Sequence, residues 1–106
     1  MGPTLKAILS ELRRGLEDLY GQRLTRMVLY GSQARGDAGA GSDIDVLVVL
    51  RGEVSPCREI AQTSELVAEL SLRHDVVIVP AFVSEDQYQR ERSPLLLNVR
   101  REGVLV

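Results

Sequence analysis

The tightest constraint in this sequence is the run Ile44-Asp45-Val46-Leu47-Val48-Val49-Leu50. After its first turn the run is apolar on both faces of an extended chain. It must therefore be a covered, central strand, with other elements above and below it. A second short β-type run, Met27-Val28-Leu29-Tyr30, ends at Gly31, and a third, His74 to Pro80, reads HDVVIVP and closes at its proline.

The covering elements are legible from the helical period. Between residues 4 and 20, Leu5, Ile8, Leu9, Leu12, Leu16 and Leu19 share one face, while Lys6, Glu11, Arg13, Arg14, Glu17 and Asp18 fall on the other. Thr4 is the expected N-cap of this amphipathic helix and Gly21 its stop. Ser55-Pro56 opens a helix that runs to about Leu72, Ser84-Glu85-Asp86 opens another, and Ser93-Pro94 opens the last over LLLNVRR. The expected order is α-β-(short α)-β-α-β-α-α. The helix between the second and third strands is long enough for a crossover. The chain reads as an α/β (α+β) fold, a small mixed sheet of about three strands with helices packed against it, forming a single domain over residues 1–106.

Composition narrows the function classes. The 106 residues are 44% hydrophobic and 26% charged, as in an ordinary soluble globule. A net charge of −2 and few aromatic residues argue against non-specific nucleic-acid binding and against a base-stacking platform. The single cysteine, Cys57, allows neither an intrachain disulfide nor a cysteine-based zinc site, which fits a reducing, cytoplasmic setting. No run is long enough to cross a membrane, and the charged N-terminal stretch does not read as a signal peptide.

The covered strand has an unusual mouth. Asp43 and Asp45 alternate with Ile44, so both carboxylates point to the same side. Two such charges about 5 Å apart repel by roughly 3 kcal/mol at an effective dielectric of about 20. A divalent cation removes that cost, and hard oxygen donors at adjacent same-face positions suit Mg²⁺ or Mn²⁺. Asp75 is expected to open the third strand as Asp43 and Asp45 open the second. If the strands start side by side, three carboxylates converge, enough to hold two metal ions for displacement at phosphorus. The preceding segment, GSQARGDAGAGS, supplies small residues and a phosphate-binding character. Gly31 permits close approach, Ser32 offers a hydroxyl and the N–H groups of a short helix, and Arg35 shares its face.

Taken together, Gly31-Ser32, the Ala-Arg-Gly that follows, Ser42-Asp43-Ile44-Asp45 and the later Asp75 resemble the signature of the DNA polymerase beta-like nucleotidyltransferases. The fuller string GSQARG…SDIDVLVV is similar to the minimal branch of that superfamily, and the likeness extends over nearly the whole chain. The resemblance implies that Gly31 and Ser32 hold a triphosphate. It implies that Asp43 and Asp45 bind two Mg²⁺ ions, and that Asp75 completes one metal site and helps deprotonate the attacking hydroxyl. It further implies transfer of AMP from ATP to a hydroxyl, and an antitoxin role opposite a helical HEPN toxin modified on tyrosine. Gln33 departs from the basic residue that many relatives carry there.

Other roles fit some of the same residues. Arg35 is equally an ion-pair partner for Asp37 or Asp43, Asp75 a helix cap or a partner of Arg73, and His74 an ordinary part-exposed histidine. The chain is too short for a second wall to its cleft, so a separate protein or a second copy is expected to complete the site. The two C-terminal helices and the VLV tail are the candidate contacts. An antitoxin acting by occlusion, or a stand-alone enzyme for a small hydroxylated molecule, are the alternative functions.

Overall fold

The computed structural model describes residues 2–36, 39 and 43–106. In chain order the elements are α1 (Pro3–Tyr20), a 3₁₀ turn (Gly21–Arg23), β1 (Leu24–Tyr30), α2 (Ser32–Arg35) and β2 (Ile44–Leu50). They continue as α3 (Pro56–His74), β3 (Ile78–Ser84), α4 (Glu85–Arg90), α5 (Pro94–Glu102) and β4 (Val104–Leu105).

The sheet runs β3-β2-β1-β4. β1 pairs antiparallel with β2 and with β4, while β3 lies parallel to β2, so the sheet is mixed, as expected. The expected count of about three strands misses β4. The apolar tail is short, but Val104 and Leu105 pair with Leu29 and Val28, and the Val106 N–H donates to the Met27 carbonyl at 2.9 Å.

The central strand is covered on both sides. Met27, Leu29, Ile44, Val46, Val48, Leu50, Ile78 and Phe82 pack with the buried α1 residues Ile8, Leu9, Leu12 and Leu16 and with Leu70 of α3. On the other face, Val28, Leu47, Val49 and Val83 lie under Leu96 and Val99 of α5. Each fully buried Leu or Ile contributes about 1.5–3 kcal/mol relative to an exposed one.

Several boundaries shift for local reasons. Gly2 rather than Thr4 is the N-cap of α1, because Pro3 supplies the first helical position without an N–H to satisfy. Gly21 does end that helix, at φ 55°. α3 runs on to His74, and β3 begins at Ile78 rather than at residue 74. Pro80 does not close β3. The Ile44 N–H bonds the Val77 carbonyl at 2.8 Å, so the odd-numbered β3 residues face β2 and the even-numbered ones face outward. Pro80 thus lacks an N–H on the edge where none is needed. Its neighbours on that edge are also occupied: the Ile78 N–H reaches Ser71 Oγ at 3.4 Å, and the Ser84 N–H reaches Gln87 Oε1 at 3.0 Å. Ser84 and Gln87 form a reciprocal capping box, and Ser93 caps α5, both at the expected starts.

Candidate active site

The site is built at the end of the sheet where β1 finishes and β2 begins. Tyr30, the last residue of β1, pairs across the sheet with Asp45. Gly31 then turns the chain at φ 76°, ψ −157°, and α2 follows with Gly31 as its N-cap. This backbone region is essentially reserved for glycine. Space is equally limiting, because a β-carbon on Gly31 would sit 2.5 Å from Asp45 Oδ2. The Gly31 carbonyl accepts the N–H groups of Ala34 and Arg35, both at 3.1 Å. The Ser32 N–H is therefore one that the helical turn itself does not use, and it lies at the end beside Asp45.

Asp45 is half-buried and Asp43 exposed. By strand alternation both project from the face that carries Tyr30 and the α5 contacts. The Asp45 carboxyl is held above its ordinary pKa, first by burial and then by the negative charge of Asp43. Tyr30 is raised as well, by burial and then by Asp45. The expected mutual repulsion of the two aspartates is thus present. Among the described residues, neither aspartate is ion-paired with a lysine or arginine. Two carboxylates with this mutual strain fit a hard divalent cation.

Asp75 lies at the same end, since Ile78 of β3 is level with Ile44. It does not open β3; it caps α3 in the left-handed conformation at φ 53°, ψ 51°. Its N–H and that of Val76 both donate to the Ser71 carbonyl. Among the described residues no three His, Cys, Asp or Glu side chains form a ready-made metal cage, and Asp75 is not one of the charges acting on Asp45. Nor does Arg73 pair with Asp75. Arg73 reaches Glu11 at 2.8 Å and also bonds Glu69, while His74 Nε2 lies 2.6 Å from Glu11 Oε2.

Arg35 bonds Glu102 of α5 at 3.2 Å, a partner the sequence did not point to because it lies 67 residues away. The expected turn through DAGAGS, and Asp37 as a partner of Arg35, fall on residues 37, 38 and 40–42, outside the described ones. A cleft of about 440 Å³ runs beside α2, lined by Leu5, Leu29, Ala34, Arg35 and Val104 among others. Asp43, Asp45 and Asp75 are not in its walls, so it is separate from the carboxylates. Tyr30 was also missed as a neighbour of the carboxylates, although its place directly before Gly31 was a usable signal.

Residues 9–97 match the nucleotidyltransferase domain family. The chain belongs to that family. It is 32% identical over 73 residues to a protein of Methanocaldococcus jannaschii named as a protein adenylyltransferase, covering 69% of this chain and 73% of that one. A second protein of the same organism and name is 35% identical over 86 residues, covering 81% and 79%. Among solved structures, a toxin–antitoxin complex with AMP-PNP superimposes with a TM-score of 0.64 at 21% identity, covering 91% of this chain and 69% of that chain. A tri-AMPylated HEPN toxin of Shewanella oneidensis in complex with its MNT antitoxin gives 0.53 at 18%, covering 92% and 70%. At these identities the structural likeness establishes the nucleotidyltransferase fold. No helix among the described residues is long and apolar enough to cross a membrane.

Proposed function

We propose that this nucleotidyltransferase moves AMP from ATP to a hydroxyl on a partner protein, with divalent metal at Asp43 and Asp45. The observation that carries the reading is the corner where Asp45 Oδ2 fills the space beside Gly31, directly ahead of the α2 amide groups. Triphosphate oxygens can approach the turn because Gly31 itself carries no side chain and the Ser32 N–H and hydroxyl are donors, while a metal ion would bridge them to the Asp45 carboxylate. Arg35 adds a guanidinium. It is bonded to Glu102 at 3.2 Å, in a pair in which Arg35 is about half exposed and Glu102 mostly covered.

Mg²⁺ or Mn²⁺ bound by the aspartates supplies charge neutralisation for the triphosphate and lowers the pKa of the attacking hydroxyl. Asp75, at the same end of the sheet, takes the proton of that hydroxyl on its carboxylate. The hydroxyl oxygen bonds to the α-phosphorus as the bond to the bridging oxygen breaks, and pyrophosphate leaves. The exposed position of Asp43 supports completion of the site by a second protein. The names of the M. jannaschii relatives and of the toxin–antitoxin complexes support a protein acceptor, and that of the Shewanella oneidensis complex a HEPN toxin.

The test is mass spectrometry of the partner protein after incubation with this chain, ATP and Mg²⁺. One or more added AMP units are expected. An unmodified partner, still bound and silenced, would replace transfer by occlusion. Modification of a small hydroxylated compound without any partner would replace the protein acceptor.

A further inference from the structure

Asp45 stands in the middle of a row that crosses the sheet. Tyr30 of β1 is its partner on one side, and Val79 of β3 its partner on the other. Aligned residues of neighbouring strands share a face, and the strands lie about 4.8 Å apart, so Val79 is one strand spacing from the acid. Further along that face the sheet is covered. Ala81 and Val83 of β3 join Val28, Leu47 and Val49 against Leu96 and Val99 of α5. Val79 lies beyond this cover and is 37% exposed, and Val77, two residues earlier, is 55% exposed. The Ile44 N–H bonds the Val77 carbonyl at 2.8 Å, which keeps Val77 in register one step beyond the Ile44–Ile78 pair.

Single exposed valines are ordinary on a protein surface. What distinguishes these two is the direction of the reaction. Displacement at phosphorus sets the entering and leaving oxygens roughly in line, on opposite sides of the phosphorus. The leaving pyrophosphate belongs to the Gly31–Ser32 turn, which follows β1. With the α-phosphorus beside Asp45, as the proposed transfer requires, the entering hydroxyl comes from the β3 side. β3 is the last strand there, so the group that carries the hydroxyl crosses Val79 and Val77. Neither offers a polar side chain. That approach rewards an apolar ring next to the hydroxyl and adds little for a short aliphatic alcohol.

We propose that Val79, together with Val77, is the specificity-determining surface for the acceptor and receives the ring of a phenolic side chain. The nucleotide lies on the β1 side of Asp45 and the acceptor on the β3 side. This rests on the nucleotidyl-transfer reading above and deepens it by fixing the strand over which the acceptor enters.

The experiment uses the full chain with Mg²⁺ and an ATP analogue whose α,β-bridging oxygen is replaced by methylene, so that no AMP is transferred. N-acetyl-tyrosinamide is titrated in while the valine methyl signals are followed by NMR, with N-acetyl-serinamide as the comparison. The phenol is expected to shift the Val77 and Val79 methyls saturably, binding about tenfold or more tightly than the serine compound. Val77→Thr combined with Val79→Thr keeps the β-branch at both positions. It should weaken the phenol about tenfold and leave the calorimetric affinity for Mg²⁺–ATP unchanged. Valine methyls unmoved by the phenol, or an equal response to the two compounds, overturn the proposal and leave nucleotidyl transfer standing. A loss of ATP affinity in the double variant also overturns it, by placing the nucleotide over β3. A parent that binds no Mg²⁺–ATP removes the transfer reading itself, and the proposal with it. Should the double variant fail to fold, the titration of the parent decides.

Discussion

Asp45 Oδ2 occupies the space that a side chain at position 31 would need, 2.5 Å from where its β-carbon would lie. The strand that carries the acid and the turn that carries the phosphate donors are therefore in contact, and each limits the other. Gly31→Ala must either displace the carboxylate or shift the turn, in addition to a backbone cost of about 1–3 kcal/mol at this φ and ψ. The variant is expected to lose AMP transfer and Mn²⁺ binding together, with a lowered melting temperature. Calorimetry and a thermal melt check both; retention of metal binding would separate the turn from the acid.

The carboxylate pair should behave as a strained feature when no metal is present. Because burial and Asp43 raise the Asp45 pKa in the fold, its ionised form opposes folding. The destabilisation is fully present above the raised folded value and fades as pH falls through the unfolded value, near 4. Asp43→Asn combined with Asp45→Asn should then melt higher than the parent at pH 7 in chelator, with the gap closing towards pH 4. Added Mg²⁺ should raise the melting temperature of the parent only. Transfer by the double variant should fall by about 100-fold or more.

Asp75→Gly separates strain from function. Glycine accepts φ 53° without penalty, so stability should rise by about 1 kcal/mol, measured by urea denaturation. Metal binding should weaken in the same protein. A stabilised variant with unaltered Mn²⁺ affinity would leave Asp75 as a helix cap alone.

A second acid–phenol pair lies on the face of the sheet covered by α1 and α3. Glu59 is fully buried, accepts from the Tyr20 hydroxyl at 3.3 Å and from the Ser55 N–H at 3.0 Å, and pairs with the exposed Arg58 at 3.0 Å. Burial, followed by the charge and hydrogen bond of Glu59, pushes Tyr20 up to about 12. In an alkaline absorbance titration Tyr20 should titrate at about 12, absent from the Tyr20→Phe trace. The neutral phenol is the stabilising form, so its contribution is whole below about pH 10 and is lost as pH rises towards 12. Tyr20→Phe should cost about 1–3 kcal/mol by leaving a buried acceptor with one partner fewer.

Position 12 tests the core. Leu12 is 1% exposed under the sheet, and Leu12→Ala is expected to cost about 2–5 kcal/mol by chemical denaturation without changing Mn²⁺ affinity.

The features legible along the chain are those whose physics is short-ranged. Alternation placed Asp43 and Asp45 on one side of a strand, the helical period marked the buried face of α1, and Ser84 and Ser93 announced the helices they cap. Gly31 before a short helix was readable for the same reason, since a few consecutive residues contain the whole turn. Asp75 shows where that reasoning stops. An acid ahead of Val76-Val77-Ile78-Val79 looks like a strand opener, yet α3 extends to His74 with Asp75 as its cap, and its last two residues bond Glu11 on a distant helix. Pairings such as Glu11 with His74, Arg35 with Glu102, and β4 with β1 join residues far apart in sequence. They follow from which helix lies over which face and from a parallel crossover, neither of which local propensity encodes; only packing the whole chain against one sheet brings those groups within bonding distance.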